Sequence, residues 1–203
     1  MAEAGDYFEA IYQRAGRETS SIPWASLAPS PIVENWLTSA GGPPGAAVVV
    51  ASGLGDDAEA LADRGWYVTG FDVSPTAIEW ARERFPDSSV DYAVADLFDL
   101  PANWSQAFAL VVEVFTIQSL DPKWRLRAIR SIADLVAPGG TLLVAAIGGD
   151  TVPTVDGPPW PVARHQLDDF VTAGLTEVEF GHRSSPWQGL DHLEAEYRRP
   201  IRP

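Results

Sequence analysis

Glycines and acidic residues follow successive apolar runs of the sequence, and their types suit the binding of a nucleoside. Gly53 and Gly55 follow the run "AAVVVA", and glycines let a backbone turn tightly and approach a ligand closely. Asp72 ends the next run, 17 residues beyond Gly55, where its carboxylate can accept hydrogen bonds from both hydroxyls of a ribose. Asp96 follows "VDYAVA", the third predicted strand, where a carboxylate can accept from the exocyclic amine of adenine.

Both acids also have a simpler interpretation as turn or helix-entry residues. In "DVSP" the helix cap is already supplied by Ser74, so the ribose role is favoured for Asp72. Asp96 alone fits a turn equally well, and its pairing with Asp72 favours the adenine role, with Leu97 and Phe98 packing on the ring.

The elements that position these residues alternate between strand and helix. The runs "AAVVVA", "GWYVTGF", "ALVVEVF" and "TLLVAAI" are typical of parallel strands buried on both faces, with amphipathic helical patterns between them. Near the end, "LTEVEF" and "LEAEYRR" alternate with period two and are joined by a loop, which predicts an antiparallel hairpin. The sequence therefore predicts a doubly wound, seven-stranded, mostly parallel α/β sheet with an antiparallel C-terminal hairpin.

The domain organisation is predicted to be simple. A chain of 203 residues fits one domain. Residues 46–203 form the predicted core, and residues 1–45 form an N-terminal helical extension, or lid, with one helix over 6–14 and another starting at Pro31.

Composition excludes several classes of partner. A net charge of −14 and a pI near 4.4 disfavour nucleic acid and anionic membranes, which need clustered cations. With no cysteine and three scattered histidines, neither a disulfide, a thiolate nucleophile nor a metal site is expected. No signal peptide or bilayer-spanning run is found, so a cytoplasmic location is expected.

The order of these features resembles the class I S-adenosylmethionine-dependent methyltransferases over about residues 46–200. The shared features are the glycine loop, the acid after strand two, "AD" after strand three and "LVAPGGTLLV" before strand five. The loop is closest to the thiopurine, thiol and halide methyltransferase branch, which typically has "GCGxGxD". Here "ASGLGDD" matches at Gly53, Gly55 and Asp57 and departs at Ala51 and Ser52. Class I enzymes often have an acidic residue just before the loop, and this chain has Val49 there.

The resemblance implies a Rossmann-like methyltransferase fold with S-adenosylmethionine as cofactor. The residues expected to contact this cofactor are Trp24, Ala51, Ser52, Gly53, Gly55, Asp57, Asp72, Val73, Asp96, Leu97, Phe98 and Glu113. The aromatic residues expected at the methyl acceptor are Tyr12, Phe115, Trp160 and Trp187. An apolar lid that excludes water would be formed by Trp24, Phe115, Trp160 and Trp187. Packing of the N-terminal extension onto the core explains these aromatics about as well, and the lid is slightly favoured for Trp24 and Trp160.

The implied reaction is in-line transfer of a methyl group from a sulfonium to a small-molecule nucleophile. Thiols, halides and similar soft acceptors need little or no base, because the sulfonium is already a strong electrophile. The sequence assigns no catalytic base, because lone histidines such as those at 165, 182 and 192 are more often surface or hairpin residues than bases. Glu113 fits a contact to the methionine moiety, and an ordinary strand-end carboxylate fits it nearly as well. The identity of the acceptor and the oligomeric state stay open.

Two other functions are compatible with parts of the sequence. A nicotinamide dinucleotide oxidoreductase needs G-x-G-x-x-G, whose last position is Ala58 here, and the "PGG" turn and antiparallel tail argue against it. A catalytically silent cofactor-binding module is the second alternative, suggested by Ala51 and Val49.

Overall fold

The computed structural model describes residues 2–39, 42–184 and 190–201. The chain divides into two compact units, Met1–Leu100 and Pro101–Pro203. Trp187 lies outside the described residues, so its predicted role at the acceptor stays a prediction.

The first unit contains the N-terminal extension and three parallel strands. Its elements are α1 (Ala2–Ala15), α2 (Pro31–Ser39), β1 (Ala46–Val50), α3 (Asp56–Ala62), β2 (Tyr67–Asp72), α4 (Pro75–Arg84) and β3 (Asp91–Val94). The strand order is β3-β2-β1, with β1 pairing β2 from Ala46↔Tyr67 onward. Because all three strands run the same way, the glycine loop, Asp72 and Asp96 all follow carboxyl ends at one edge of this sheet.

The second unit contains the remaining strands and the antiparallel tail. Its elements are β4 (Phe108–Val114), α5 (Pro122–Leu135), β5 (Val136–Gly149), β6 (Val162–Ala163), α6 (Asp168–Thr172), β7 (Thr176–Ser184) and β8 (Asp191–Arg198). The order is β4-β5-β8-β7, in which β4 and β5 are parallel and β8 is antiparallel to both β5 and β7. The predicted C-terminal hairpin is therefore confirmed.

Helix starts follow the local sequence. Ser74 caps α4, since its hydroxyl accepts a hydrogen bond from the Ala77 amide at 3.0 Å and Pro75 occupies the first helical position. Asp121 and Pro122 begin α5 in the same way, with the Asp121 carboxylate accepting from the Lys123 amide at 3.0 Å.

The strands differ from the prediction in two details. Eight strands occur among the described residues rather than seven, because the two-residue β6 pairs with the end of β5. β5 also starts at Val136, before the predicted "PGG" turn, and the register of β4 against β5 shifts there. Gly140 permits this approach, since a Cβ atom at that position would lie 2.9 Å from the Phe108 carbonyl oxygen.

Membrane-spanning helices are not found in the described ranges. None of these helices is both long and apolar enough to cross a bilayer.

Candidate active site

The glycine loop after β1 adopts left-handed backbone conformations at three positions. φ is 48° at Ala51, 53° at Gly53 and 95° at Gly55. The Ser52 amide donates to the Phe71 carbonyl at 2.8 Å, and the Gly55 amide donates to the Ser52 carbonyl at 3.0 Å. The loop therefore keeps a glycine-type geometry at position 51, although the residue there is alanine.

Gly55 is also required by the packing of a tyrosine that the sequence does not mark as part of the loop. A Cβ atom on Gly55 would lie 2.2 Å from the Tyr92 hydroxyl oxygen, and one on Gly70 would lie 3.1 Å from Tyr92 Cε1. The Tyr92 hydroxyl donates to Glu59 at 2.7 Å, which fixes the ring in this space. The underside of the loop is thus filled by Tyr92 of β3.

Asp72 connects the glycine loop to the start of α4. Its carboxylate is buried, with Oδ2 accepting from the Gly53 amide at 3.0 Å and Oδ1 accepting from the Ser74 amide at 2.9 Å. Burial raises the pKa of Asp72 to about 6 and outweighs the amides of Ser74, Gly53 and Val73, which lower it. A carboxylate has about four lone-pair sites, so the group can still accept from a ligand hydroxyl.

Aromatic side chains of the extension lie against the glycine loop. Tyr12 of α1 is buried, and its hydroxyl would be 3.1 Å from a Cβ atom on Gly53. That hydroxyl accepts a hydrogen bond from Trp24 Nε1 at 3.0 Å, and the Trp24 ring makes an edge contact with Phe8. Burial, and next the Asp72 charge, raise the pKa of Tyr12, so the phenol stays protonated. Tyr12, predicted at the acceptor, thus lies beside the glycine loop.

Glu9 of α1 holds the start of α4, a contact that the sequence pattern did not predict. Its carboxylate accepts from the Ser74 hydroxyl at 2.6 Å, from the Thr76 hydroxyl at 2.6 Å and from the Thr76 amide at 3.2 Å. Burial raises the pKa of Glu9, but the hydrogen bonds from Ser74 and Thr76 outweigh it and the net shift is downward. The N-terminus of α4 was the sequence signal for such a contact, because the first turn of a helix favours a nearby carboxylate.

Asp57 is held by the extension. Its Oδ1 accepts from the Ser30 amide at 2.6 Å, and burial, partly offset by that bond, raises its pKa. This carboxylate therefore connects α3 to the residue that precedes α2. Val73, the remaining predicted contact in this part of the chain, is 36% exposed and lies beside Gly5 of α1.

The predicted adenine contacts form a compact turn after β3. Asp96 is half-buried and its Oδ1 accepts from the Phe98 amide at 2.9 Å. Leu97 is buried and Phe98 is half-buried. The turn interpretation and the ligand interpretation of Asp96 are therefore compatible, since Oδ2 is not used in this bond.

In the second unit, Glu113 is fully buried at the end of β4. Its Oε1 accepts from the Thr116 amide at 2.7 Å and from the Ile117 amide at 3.0 Å. Its Oε2 is buried and has no hydrogen-bond partner in the part of the chain that the structure describes. Burial raises the pKa of Glu113 to about 7, against the lowering effect of the Ile117 and Thr116 amides. An unpartnered buried carboxylate oxygen is costly and suits a cationic donor from a ligand.

Phe115 and Trp160 are fixed at the same end of the second unit. The Phe115 amide donates to the Ala145 carbonyl at 2.8 Å, and the Trp160 amide donates to the Gln118 carbonyl at 2.7 Å. Gln118 is itself buried and its Oε1 accepts from the Ile147 amide. Both predicted aromatics are half-buried, which leaves part of each ring accessible.

A buried arginine holds the segment that carries Trp160. Arg125 of α5 is 4% exposed, and its guanidinium donates to the Trp160 carbonyl and to Gln166 Oε1, both at 2.8 Å. Burial lowers the pKa of Arg125. The sequence signal was an arginine on the apolar face of α5, three and four residues before Ala128 and Ile129.

Comparisons with known proteins identify the family and the fold of this chain. The family described as "Methyltransferase domain" matches residues 47–140. Thiocyanate methyltransferase 1 from Brassica oleracea is 28% identical over 169 residues, covering 79% of this chain and 72% of that protein. Probable thiol methyltransferase 2 from Arabidopsis thaliana is 27% identical over 157 residues, covering 74% and 67%. The structure of N-methyltransferase NodS from Bradyrhizobium japonicum with S-adenosyl-L-homocysteine has a TM-score of 0.70 at 24% identity, covering 94% of this chain and 98% of that one.

The family match and the curated relatives identify the chain as a class I S-adenosylmethionine-dependent methyltransferase, and the likeness to the NodS structure shows the fold. Within that class, the chain is similar to the thiol and thiocyanate methyltransferases. The predicted fold, cofactor and enzyme class are thereby confirmed, and the oxidoreductase alternative is set aside.

Proposed function

We propose that the protein methylates a small soft nucleophile, with thiols, thiocyanate and halides as the preferred acceptors. The observation that carries this proposal is the state of Glu113, the buried acid at the end of β4. Its Oε1 accepts from two backbone amides, and its Oε2 is assigned below to the ammonium group of the cofactor, so this proposal leaves neither oxygen to remove a proton from an acceptor. Soft nucleophiles need no such base, and the two curated relatives described above carry thiocyanate and thiol in their names.

The first unit would hold the nucleoside of the cofactor. Asp72 would accept from the ribose hydroxyls through the lone pairs that Gly53 and Ser74 leave free. Asp96 would accept from the adenine amine, with Leu97 and Phe98 against the ring. Ala51, Ser52, Gly55 and Asp57 would shape the loop, and Val73 and Trp24 would border the ligand.

The second unit would contribute a charge and an apolar surface. The unpartnered Oε2 of Glu113 would accept from the ammonium group of the methionine moiety. Phe115 and Trp160 would exclude water from the acceptor. When bound, S-adenosylmethionine supplies an electrophilic methyl group on a sulfonium, so the remaining task of the protein is to align the acceptor with it.

The proposal is tested by a panel of acceptors incubated with labelled S-adenosylmethionine. The panel contains iodide, thiocyanate, an aromatic thiol, an aliphatic thiol, a phenol and an amine, and the methylated products are measured by mass spectrometry. We expect turnover with the sulfur and halide acceptors and at least tenfold less with the phenol and the amine. Preference for the phenol or the amine would contradict the proposal, and silence across the panel despite tight S-adenosylhomocysteine binding would favour a non-catalytic module.

Replacing Ala51 with glycine is expected to improve both stability and cofactor affinity. An L-residue in the left-handed region costs about 1 kcal/mol, which glycine at φ 48° would remove. We expect the free energy of unfolding to rise by about 0.5–1 kcal/mol and the Kd for S-adenosylhomocysteine to fall about threefold, because a methyl group next to the ligand is lost. Denaturant titration and calorimetry measure the two quantities.

The matched control for this substitution is Ala60→Gly within α3. Glycine inside a helix lowers stability by about 0.5–1 kcal/mol, so the two alanine-to-glycine changes should have opposite signs. A loss of stability in both variants would show that position 51 is not strained.

A further inference from the structure

Phe115 combines a strained backbone with a histidine neighbour. Its φ is 63°, which is rare for a bulky residue and occurs mostly at functional sites. Its ring packs edge-on against His192 with the ring centroids 4.9 Å apart. His192 belongs to β8, where it pairs with Ile147 near the carboxyl end of β5. The imidazole therefore lies at the edge of the second unit where acceptor-side residues are expected.

The protonation of His192 is set by an arginine on the neighbouring strand. Nη2 of Arg183 lies 2.8 Å from Nδ1 of His192. A guanidinium can only donate, so Nδ1 must accept, and the neutral ring then carries its proton on Nε2. Arg183 is held in place because its Nε donates to Glu194 at 2.6 Å.

Burial and the neighbouring arginine favour the neutral form of the ring. Burial is the main cause that lowers the pKa of His192, followed by the charge of Arg183. Glu194 and Asp191 raise it, but the net shift is downward. Asp191 also lies 3.6 Å from Nδ1 of His182, so its charge is shared with a second imidazole.

We propose that His192 is a specificity-determining residue that offers an Nε2–H donor to the methyl acceptor, so that the enzyme takes acceptors that are already deprotonated when they bind. This rests on the proposed function and deepens it. A donor next to the Phe115 ring favours an anion or an exposed lone pair, and a nitrogen that carries a proton cannot remove one. The transfer then forms one bond from the acceptor to the methyl carbon and breaks the methyl–sulfonium bond, and no proton moves.

The tautomer can be measured without turnover. The chain has three histidines, so ¹⁵N-histidine-labelled protein gives three ring spectra, which His165→Gln and His182→Gln variants assign. At pH 7 we expect His192 to have a bare Nδ1 and a protonated Nε2, and Arg183→Met to abolish that preference. A charged ring, or a proton on Nδ1, would overturn the proposal whether or not the protein methylates any compound.

The acceptor requirement is tested by pH profiles of kcat/KM with two thiols of different acidity. An aliphatic thiol has a pKa of about 8.5, and an aromatic thiol is considerably more acidic. We expect the rise of each profile to follow the pKa of the thiol. A midpoint that is the same for both thiols and disappears in His192→Phe would make His192 a base instead.

Two substitutions of His192 separate donation from packing. His192→Phe removes the donor and should raise KM about tenfold while kcat changes less, whereas His192→Asn keeps an N–H donor and should recover part of the loss. His165→Gln is the control, since His165 is exposed in a different segment. Equal KM values in the phenylalanine and asparagine variants would mean that His192 only fills space. If neither thiol is methylated, the proposed function fails and the ring spectra alone decide the state of His192.

Discussion

Replacing Asp72 with asparagine is expected to raise the Kd for S-adenosylhomocysteine about 100-fold. Two hydrogen bonds to a charged acceptor are worth about 3 kcal/mol together, which corresponds to that factor. Asparagine keeps the shape of the side chain, but its amide nitrogen cannot accept a hydrogen bond. The amides of Gly53 and Ser74 each donate to one carboxylate oxygen of Asp72, so one of these two bonds would be lost. The glycine loop and the ribose hydroxyls of the ligand would therefore both lose a hydrogen-bond acceptor.

Calorimetry at several pH values tests this prediction. The pKa of Asp72 is about 6 without ligand, and hydroxyl donors from a ligand favour its ionised form. The affinity of the unchanged protein should then be constant above pH 6 and fall up to tenfold per unit below it, whereas the Asp72→Asn variant should lack this dependence. Asp99→Asn, an exposed carboxylate in the turn after β3, is the control for loss of charge. Unchanged affinity in a folded Asp72→Asn variant would remove the proposed ribose contact.

Replacing Glu113 with glutamine is expected to stabilise the protein and to weaken its binding of S-adenosylhomocysteine. The pKa of Glu113 is raised from 4.5 to about 7, so the folded state binds a proton that the unfolded state releases between these values. The stability of the unchanged protein should therefore decline as pH rises from 4.5 to 7, by about 3 kcal/mol in total. Glutamine has no charge to bury, so the advantage of the variant should grow over the same range.

Thermal unfolding at pH 5 and pH 8 measures this advantage. At pH 8 we expect the Glu113→Gln variant to melt about 6–12 °C above the unchanged protein, and the gap should be much smaller at pH 5. Glu179→Gln, an exposed carboxylate on β7, should show no such pH-dependent gap. The same Glu113 variant should bind S-adenosylhomocysteine about tenfold more weakly, since it loses the charge proposed to meet the ammonium group. A stability gain without loss of affinity would assign Glu113 a purely structural role.

The strand pattern and the positions of the candidate site residues at strand ends could be predicted because each depends on local sequence. Continuous apolar runs define buried parallel strands, and the acid that ends such a run must lie at the carboxyl edge whatever its neighbours are. Asp72 illustrates this, since its place at the end of β2 follows from the run that precedes it.

Contacts between distant segments could not be predicted. Glu9 meets Ser74 across 65 residues, and Arg125 meets Trp160 across 35. No periodicity encodes such pairs, because each depends on how a helix packs on another element. Asp57 shows the same limit: the loop motif marked it for the ligand, but its carboxylate also receives the Ser30 amide.

The contact between Gly55 and Tyr92 has a consequence for how the loop can change. Because the Tyr92 hydroxyl occupies the space that a side chain at position 55 would need, the two positions cannot vary independently. In a mutational library, position 55 should accept a side chain only where residue 92 is smaller, and even then with the backbone strain that φ 95° imposes, whereas position 51 already tolerates alanine. Among homologous sequences, a side chain at the position of Gly55 should then occur together with a small residue at that of Tyr92, and this pairing can be sought before any protein is purified.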